Sequence, residues 1–273
     1  MAFLHINHPM AFIFGMCGNL SSFLVYLAPV PTFYRVYRKK STEGFQSIPY
    51  VVALFSAMLW IYYASVKGNT VLLITINSFG CFIELIYISM YIHYAPRKGK
   101  IFTAKMMFLV NILLFGLIVV STMLFTKGEG RATLLGWICV AFAVSVFVAP
   151  LSIMKRVIQT KSVEFMPFYL SLFLTLSALS WFAYGLVKLD KYVALPNVLG
   201  FLFGMAQMIL YMIYKGEKKI IQEEKLADHI VSIIIPEGEG QGEATVKGKP
   251  DDNNNNMGRN ATQEEVQMSQ NVV

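Results

Sequence analysis

Seven apolar runs, each long enough to cross a membrane as a helix, dominate this sequence of 273 residues. The hydrocarbon core of a bilayer is about 30 Å thick, and a helix crosses it in about 20 residues. Charged residues make up 14% of the chain, whereas a soluble domain usually carries about 25%. The sequence therefore predicts an all-α membrane protein, with spanning helices at 10–33, 46–66, 70–93, 105–126, 132–154, 167–187 and 192–214.

Basic residues lie mostly in alternate loops between these runs. The clusters at 35–40, 97–105 and 155–161 fall on the same side as the C-terminal end, and the opposite side carries far fewer. Because cytosolic loops are enriched in Lys and Arg, we expect the N-terminus outside and the C-terminus in the cytosol. The first run has no basic segment before it, which favours a span over a cleaved signal peptide.

The rest of the composition excludes several partners. The net charge of +7 comes from basic residues that flank spans and not from a separate basic stripe, so we expect no nucleic-acid partner. Cys17, Cys81 and Cys139 lie inside apolar runs without metal-ligand spacing, and we expect neither a metal nor a cofactor. Residues 216–273 are polar, with few aromatics, and their composition predicts a disordered cytosolic tail.

The chain also contains an internal repeat. A shift of 121 residues places Trp60 on Trp181, and a shift of 120 places Asn77 on Asn197. Coincidence of such rare residue types indicates two copies of one unit, as in repeat architectures generally. The other matches include Val25 with Val146, Pro29 with Pro150, Ser56 with Ser177, Tyr63 with Tyr184 and, after a small gap, Pro49 with Pro167.

The repeat unit is three helices, which fixes the predicted architecture. A unit with an odd number of spans ends on the opposite side from its start, so a second unit of the same orientation needs one extra span. The fourth run, which has no counterpart, supplies it. We predict a 3+1+3 arrangement with a first repeat at 1–95, a linker helix with its loops at 96–130, a second repeat at 131–215 and the tail at 216–273.

Segments around the repeated prolines resemble the SWEET family, a known case of parallel repeats about an axis along the membrane normal. Residues 28–33 (APVPTF) and 41–49 (STEGFQSIP) resemble its first repeat, and residues 162–167 (SVEFMP) and 195–197 (LPN) its second. The resemblance covers about 10–215 and is nearest to the plant members that carry sucrose. It implies bidirectional facilitated diffusion of sugar by alternating access in the plasma membrane, and assembly as a homo-oligomer among membrane lipids.

Four repeated side chains predict the sugar site. The indoles of Trp60 and Trp181 offer flat apolar walls to the C–H face of a sugar ring. The amides of Asn77 and Asn197 both donate and accept hydrogen bonds, which suits neutral hydroxyls. The resemblance assigns the substrate site to these four residues, although a packing role is the alternative for each of them.

A second set of residues is implied by the resemblance to line the pocket and to influence substrate size. Its members are small, which leaves room for a disaccharide such as sucrose. Ala143 stands at the repeat position of Ser22 and removes one possible hydroxyl contact. The set comprises Ser22, Val25, Ser56, Val146 and Ser177.

The resemblance also implies two gates. Proline removes a helix hydrogen bond and permits a bend, and four prolines are predicted near the cytosolic ends of their spans. Static kinks are the alternative reading of these prolines. Tyr63 and Asp190 match positions that close the outer mouth, although Asp190 could equally be an ordinary loop acid. The inner-gate prolines are Pro29, Pro49, Pro150 and Pro167.

Glu84 is the one acid well inside a predicted span. An intramembrane carboxyl is a candidate for proton coupling. Gly204 stands at the equivalent repeat position, and no basic partner is evident within a span. We therefore interpret Glu84 as a structural, hydrogen-bonded residue.

Three other classes of function fit parts of the sequence. A seven-helix receptor agrees with the helix count and the outside N-terminus, but not with the internal repeat. An amino-acid exporter of related fold would need a charged group at its site to compensate a zwitterion. An enzyme would need a nucleophile with a base or a carboxylate pair, and the spans contain neither, so we predict no enzymatic activity.

Overall fold

The structure is a computed structural model that describes residues 9–163 and 166–216. Within these ranges, seven helical segments are long and apolar enough to cross a membrane, as predicted. The predicted tail lies outside the described residues except for Gly216. The segments comprise α1 (Pro9–Leu27), α2 (Val30–Lys39), α3 (Ile48–Lys67), α4 (Val71–Tyr94), α5 (Arg97–Met106), a π-helical segment (Met107–Leu114), α6 (Phe115–Phe125), α7 (Gly128–Val146), α8 (Val148–Thr160), α9 (Phe168–Val187) and α10 (Lys191–Tyr214).

The arrangement of these helices follows the predicted repeat. In the first repeat α4 contacts both α1 and α3, and in the second repeat α10 contacts both α7 and α9. The repeats meet where α1 packs against α9 and α3 packs against α7. The predicted all-α fold of seven spans in a 3+1+3 order is therefore confirmed. We call the side at which α1 begins the N face, and the side at which α10 ends the C face.

The first and fifth spans are longer than predicted, and each is broken in the middle. The first span runs from Pro9 to Lys39 and breaks after α1, and the fifth runs from Gly128 to Thr160 and breaks after α7. The hydropathy pattern predicted ends at 33 and 154 because the residues beyond are amphipathic. Val36 and Val157 are buried, whereas the neighbouring Arg35 and Arg156 are exposed. Proline lacks a backbone N–H, so a proline inside a span weakens the helix at that point.

This corrects the predicted positions of two prolines. Pro29 and Pro150 do not lie near the ends of their spans, because each is ten residues before the last residue of its span. Pro49, in contrast, lies in the first turn of α3, and Pro167 immediately precedes α9, both at the C face. Pro29 and Pro150 therefore lie inside a spanning segment, whereas Pro49 and Pro167 lie at the start of one.

The repeats also share the geometry of their C-face turns. Lys40 and Lys161 end α2 and α8 in the left-handed conformation, with φ of 53° and 52°. The Nζ atom of Lys40 donates to the Tyr94 hydroxyl at 3.3 Å, and that of Lys161 donates to the Tyr214 hydroxyl at 3.1 Å. These pairs are repeat equivalents, so the duplication extends to side-chain contacts outside the apolar core.

The fourth span attaches to the first repeat along α3. Its middle is π-helical, a local feature that the apolar pattern does not predict and that is frequent at functional positions. Three polar contacts join the span to α3 and to Ser47, the N-cap residue of α3, at successive heights. They are Ser47 Oγ with Thr103 Oγ1 at 2.6 Å, Asn111 Nδ2 to the Val51 carbonyl at 3.3 Å, and Tyr62 Oη with Thr122 Oγ1 at 2.8 Å.

The close approach of α9 to α10 predicts a stability effect. A Cβ atom at Gly185 would lie 2.7 Å from the backbone nitrogen of Ala194, so Gly185→Ala must push α10 away. We expect this overpacking to cost about 1–3 kcal/mol and to lower the melting temperature of the detergent-solubilised protein. Gly116→Ala is the matched control, because a Cβ there meets nothing within 4 Å. Equal melting temperatures for the two variants would contradict the packing described for α9 and α10.

Candidate functional site

A cavity of about 500 Å³ lies between the two repeats. The structure brings all nine residues of the predicted substrate site to its wall, from α1, α3 and α4 on one side and from α7, α9 and α10 on the other. The residues from the prediction are Ser22, Val25, Ser56, Trp60, Asn77, Val146, Ser177, Trp181 and Asn197. Their assignment to sugar stays a prediction, but their convergence on one central cavity is an observation.

The two asparagines adopt the same conformation in the two repeats. Asn77 Nδ2 donates to the Leu73 carbonyl at 2.8 Å, and Asn197 Nδ2 donates to the Val193 carbonyl at 2.7 Å. Each bond runs one turn back along the residue's own helix and fixes the side chain at the cavity wall. An amide has two N–H donors and one carbonyl acceptor, so this bond leaves each asparagine capacity to donate to and accept from a hydroxyl.

The serines and one indole form a hydrogen-bond chain between the repeats. Ser22 Oγ and Ser177 Oγ are 2.7 Å apart, and Trp181 Nε1 donates to Ser22 Oγ at 3.1 Å. These bonds join α1 to α9. Ala143, the repeat counterpart of Ser22, has no hydroxyl and cannot form the same chain with Ser56. From the sequence, Ala143 is expected to remove one hydroxyl contact to the sugar. The alanine also removes the hydrogen bond that would otherwise join α7 to α3.

Close packing holds the Trp181 indole in place. A Cβ atom at Gly18 would lie 2.8 Å from Trp181 Cε2, so the indole packs directly on the α1 backbone. Trp181 is 6% exposed, whereas Trp60 is partly buried and its ring meets Tyr63 edge-on at 5.7 Å. The Trp181 indole is therefore held by close packing, and the Trp60 indole is less buried.

The cavity is closed toward the N face by a bond between the repeats. Tyr63 Oη donates to the Asp190 carboxylate, at 2.8 Å from both oxygens, and the two residues are 0% and 2% exposed. Asp190 also caps α10, because Oδ1 accepts from the backbone nitrogens of Tyr192 and Val193 at 3.1 and 3.4 Å. Asp190 is thus more than an ordinary loop acid. Tyr63 and Asp190, the two residues predicted to form the outer gate, bond each other at the N face.

Toward the C face the cavity continues along α10. Its wall on this helix runs from Val193 to Gln207, a distance of about 21 Å at the helical rise. Among the predicted gating prolines, Pro150 lies in the wall, while Pro29, Pro49 and Pro167 are outside it. The cavity in this conformation is closed at one end and extends toward the other.

The environment of Glu84 differs from the prediction. Its side chain is 5% exposed, and within the described ranges Oε2 has no hydrogen-bond partner. The expected hydrogen bond is therefore missing at that oxygen. Glu84 lies outside the cavity wall, and its counterpart Gly204 is part of it. No charged side chain is among the residues that the structure places in this wall.

Several residues of the wall were missed from the sequence. Tyr26 and Phe147 are repeat counterparts, and each ring packs on a glycine of the third span of its repeat, Gly80 and Gly200. Both the aromatic pair and the glycine pair recur at the repeat spacing, and this recurrence could have predicted Tyr26 and Phe147 as wall residues. Gln207 also lines the cavity, and an amide inside an apolar span is a signal of the same kind as Asn77.

Comparison with known proteins finds the same duplication in the chain. The model of a family described as "Sugar efflux transporter for intercellular exchange" matches this chain twice, at residues 12–99 and 133–219. Together the matches cover more than half of the chain. Most of the fourth span lies between them.

Individual relatives extend over most of the chain. "Bidirectional sugar transporter SWEET13" of Oryza sativa subsp. japonica is 64% identical over 225 residues, which cover 82% of this chain and 76% of the relative. "Bidirectional sugar transporter SWEET15" of the same subspecies is 57% identical over 251 residues, covering 91% and 79%. A solved eukaryotic SWEET transporter matches with a TM-score of 0.73 at 34% identity and covers 76% of this chain and 98% of its own.

The fold and the cavity define a seven-helix transporter built from two parallel repeats. The family model and the relatives then identify the family. This chain belongs to the SWEET family of sugar transporters, as the repeated residues predicted.

The N-face bond between Tyr63 and Asp190 predicts the accessibility of a nearby thiol. Cys139 is 1% exposed and packs in the same cluster as Tyr63 and Tyr192. Tyr63→Phe removes the donor to a buried carboxylate, a bond worth about 1.5–3 kcal/mol. We expect a water-soluble maleimide to label Cys139 about tenfold faster or more in this variant, on a background where Cys17 and Cys81 are alanine.

Tyr62→Phe is the matched control for this labelling. The Tyr62 hydroxyl bonds Thr122 of the fourth span and does not take part in the N-face closure. The control should label at the rate of the unmodified chain. Equal rates in Tyr63→Phe and Tyr62→Phe would show that the bond does not hold the N face closed.

Proposed function

We propose that this chain is a passive carrier of sucrose, and also of hexoses, that exposes its central cavity alternately to the two sides of the membrane. The observation that carries the proposal is the cavity wall, in which indole, amide and hydroxyl groups from two repeats surround one neutral space. A volume of about 500 Å³ is within the usual range of roughly 300–1,000 Å³ for small-molecule sites. The proposal assigns the chain no catalytic reaction.

The wall chemistry favours a neutral polyol over a charged solute. The rings of Trp60 and Trp181 match the apolar faces of a sugar, and Asn77 and Asn197 match its hydroxyls. A zwitterionic amino acid would need charged partners in this low-dielectric place, and the wall that the structure describes contains none. This is why the amino-acid exporter is the weaker proposal.

The two ends of the cavity support a mechanism of alternating access. In this conformation the Tyr63–Asp190 bond closes the N face, and the cavity reaches toward the C face. In the opposite conformation this bond breaks and the C-face half closes. The breaks beside Pro29 and Pro150 divide the first and fifth spans at equivalent depths, so bending there would move the C-face halves of both repeats together.

The cavity also supports transport without ion coupling. Coupling to protons needs an ionisable group that meets the substrate or its path. Glu84 lies behind the wall and not in it, and sugar brings no charge of its own. We therefore expect the sugar gradient alone to set the direction of flux.

The orientation and assembly belong to the same proposal. The C-face loops carry most of the basic residues, which favours the cytosol for that face and the outside for the N face. The plasma membrane is the proposed location, and a homo-oligomer surrounded by lipid is the proposed state.

Sucrose uptake into liposomes that contain the purified chain tests the proposal. We expect Asn197→Ala to lower sucrose flux about tenfold, since it removes hydrogen bonds to the substrate. Asn19→Ala is the matched control, because Asn19 bonds Thr75 at 3.0 Å and does not line the cavity. It should retain the flux of the unmodified chain.

The same liposomes separate passive from coupled transport. Sucrose flux should be equal with and without a pH gradient across the vesicle membrane. Flux that requires the gradient would contradict passive transport, and equal flux in Asn197→Ala and Asn19→Ala would contradict the assignment of the site.

A further inference from the structure

The C-face half of the cavity is built mainly by the second repeat. We call this half the C-face lobe and define it by Phe147, Pro150, Leu174, Phe203, Gly204 and Gln207. The central part of the cavity, in contrast, is formed by repeat equivalents such as Trp60 with Trp181. The lobe therefore extends the cavity away from its symmetric centre.

The first repeat has no matching lobe because its own side chains fill the equivalent space. The repeat counterpart of Gln207 is Tyr87, which is 2% exposed and donates from its hydroxyl to the Tyr26 carbonyl at 2.9 Å. The Tyr26 ring packs on Gly80, and Glu84 stands where the second repeat has Gly204. Tyr87 and Glu84 thus lie outside the cavity wall, whereas their counterparts Gln207 and Gly204 line it.

Gln207 is the polar group of the lobe. Its side chain is 7% exposed and lines the cavity, and within the described ranges no hydrogen bond ties its amide to the protein. The other five lobe residues are apolar or glycine. The Gln207 amide borders the cavity, where it can both donate to and accept from a ligand hydroxyl.

The position of Gln207 suits the second ring of a disaccharide. Gln207 is ten residues beyond Asn197 on α10, or about 15 Å along the helix axis. Side chains on a helix lean toward its N-terminus, so the Gln207 amide leans toward Asn197 and the centre. A single ring held between the indoles occupies the centre, and a second ring bonded to it extends toward the lobe.

We propose that the C-face lobe is the subsite for the second ring of a disaccharide, and that Gln207 is its specificity-determining residue. The proposal rests on the proposed sugar transport through this cavity. In it, the central asparagines and indoles bind a ring that monosaccharides and disaccharides share, and the Gln207 amide bonds hydroxyls that only the disaccharide has.

Sucrose and glucose fluxes measured side by side in liposomes test this proposal. Gln207→Leu keeps the size of the side chain and removes its hydrogen bonds. We expect sucrose flux to fall about tenfold through a higher KM, with glucose flux changed by less than about twofold. Gln207→Asn, which retains a shorter amide, should fall between the unmodified chain and the leucine variant for sucrose.

Asn77→Ala is the comparison variant, because it alters the centre and should lower both fluxes. If Gln207→Leu is not monodisperse in detergent, Gln207→Met provides the apolar variant of similar length. Equal losses of sucrose and glucose flux in the Gln207 variants, or no loss of either, would overturn the subsite. An unmodified chain that moves neither sugar would instead overturn the proposed function, so the two failures are distinguishable.

Discussion

Two copies of one three-helix bundle face each other about a shared axis, and this geometry governs what the cavity can contain. A chain in lipid must satisfy its backbone hydrogen bonds inside helices, so polar groups for a ligand have to come from side chains on facing spans. Duplication doubles each such group. Asn77 and Asn197 bond their own helices in the same way, one from each repeat, and both reach the same central space.

Departures from the symmetry mark where the repeats have different tasks. Ser22 joins α1 to α9 through Ser177, and its counterpart Ala143 leaves α7 and α3 without that bond. Asp190 accepts from Tyr63 at the N face, whereas its counterpart Thr70 donates to the Ala64 carbonyl within its own repeat. The inter-repeat hydrogen bonds are therefore not symmetric. Such an arrangement allows some contacts between the repeats to persist while others break.

The fold and the centre of the site could be predicted from the sequence because both repeat in the chain. Rare residue types at constant spacing are enough to locate Trp60, Trp181 and both asparagines. The breaks in the first and fifth spans were missed because hydropathy reports the apolar length of a segment and not its helical continuity.

The cavity residues that the sequence did not predict were missed for a different reason. Apart from Phe147, whose counterpart Tyr26 also lines the cavity, the residues of the C-face lobe have no repeat partner in the wall, so self-comparison gives no signal for them. Glu84 is interpreted from the sequence as a structural residue, and it lies outside the cavity wall. The sequence did not predict that Glu84 Oε2 has no hydrogen-bond partner among the described residues, because such a contact depends on how the helices pack.

Counterflow of sucrose is the sharpest test of alternating access, because it distinguishes a carrier that alternates between two faces from an open pore. Vesicles containing the chain are loaded with unlabelled sucrose and diluted into a trace of labelled sucrose. Alternating access predicts that labelled sucrose rises transiently above its equilibrium level inside the vesicles. A labelled signal that approaches equilibrium from below, without an overshoot, would contradict the account.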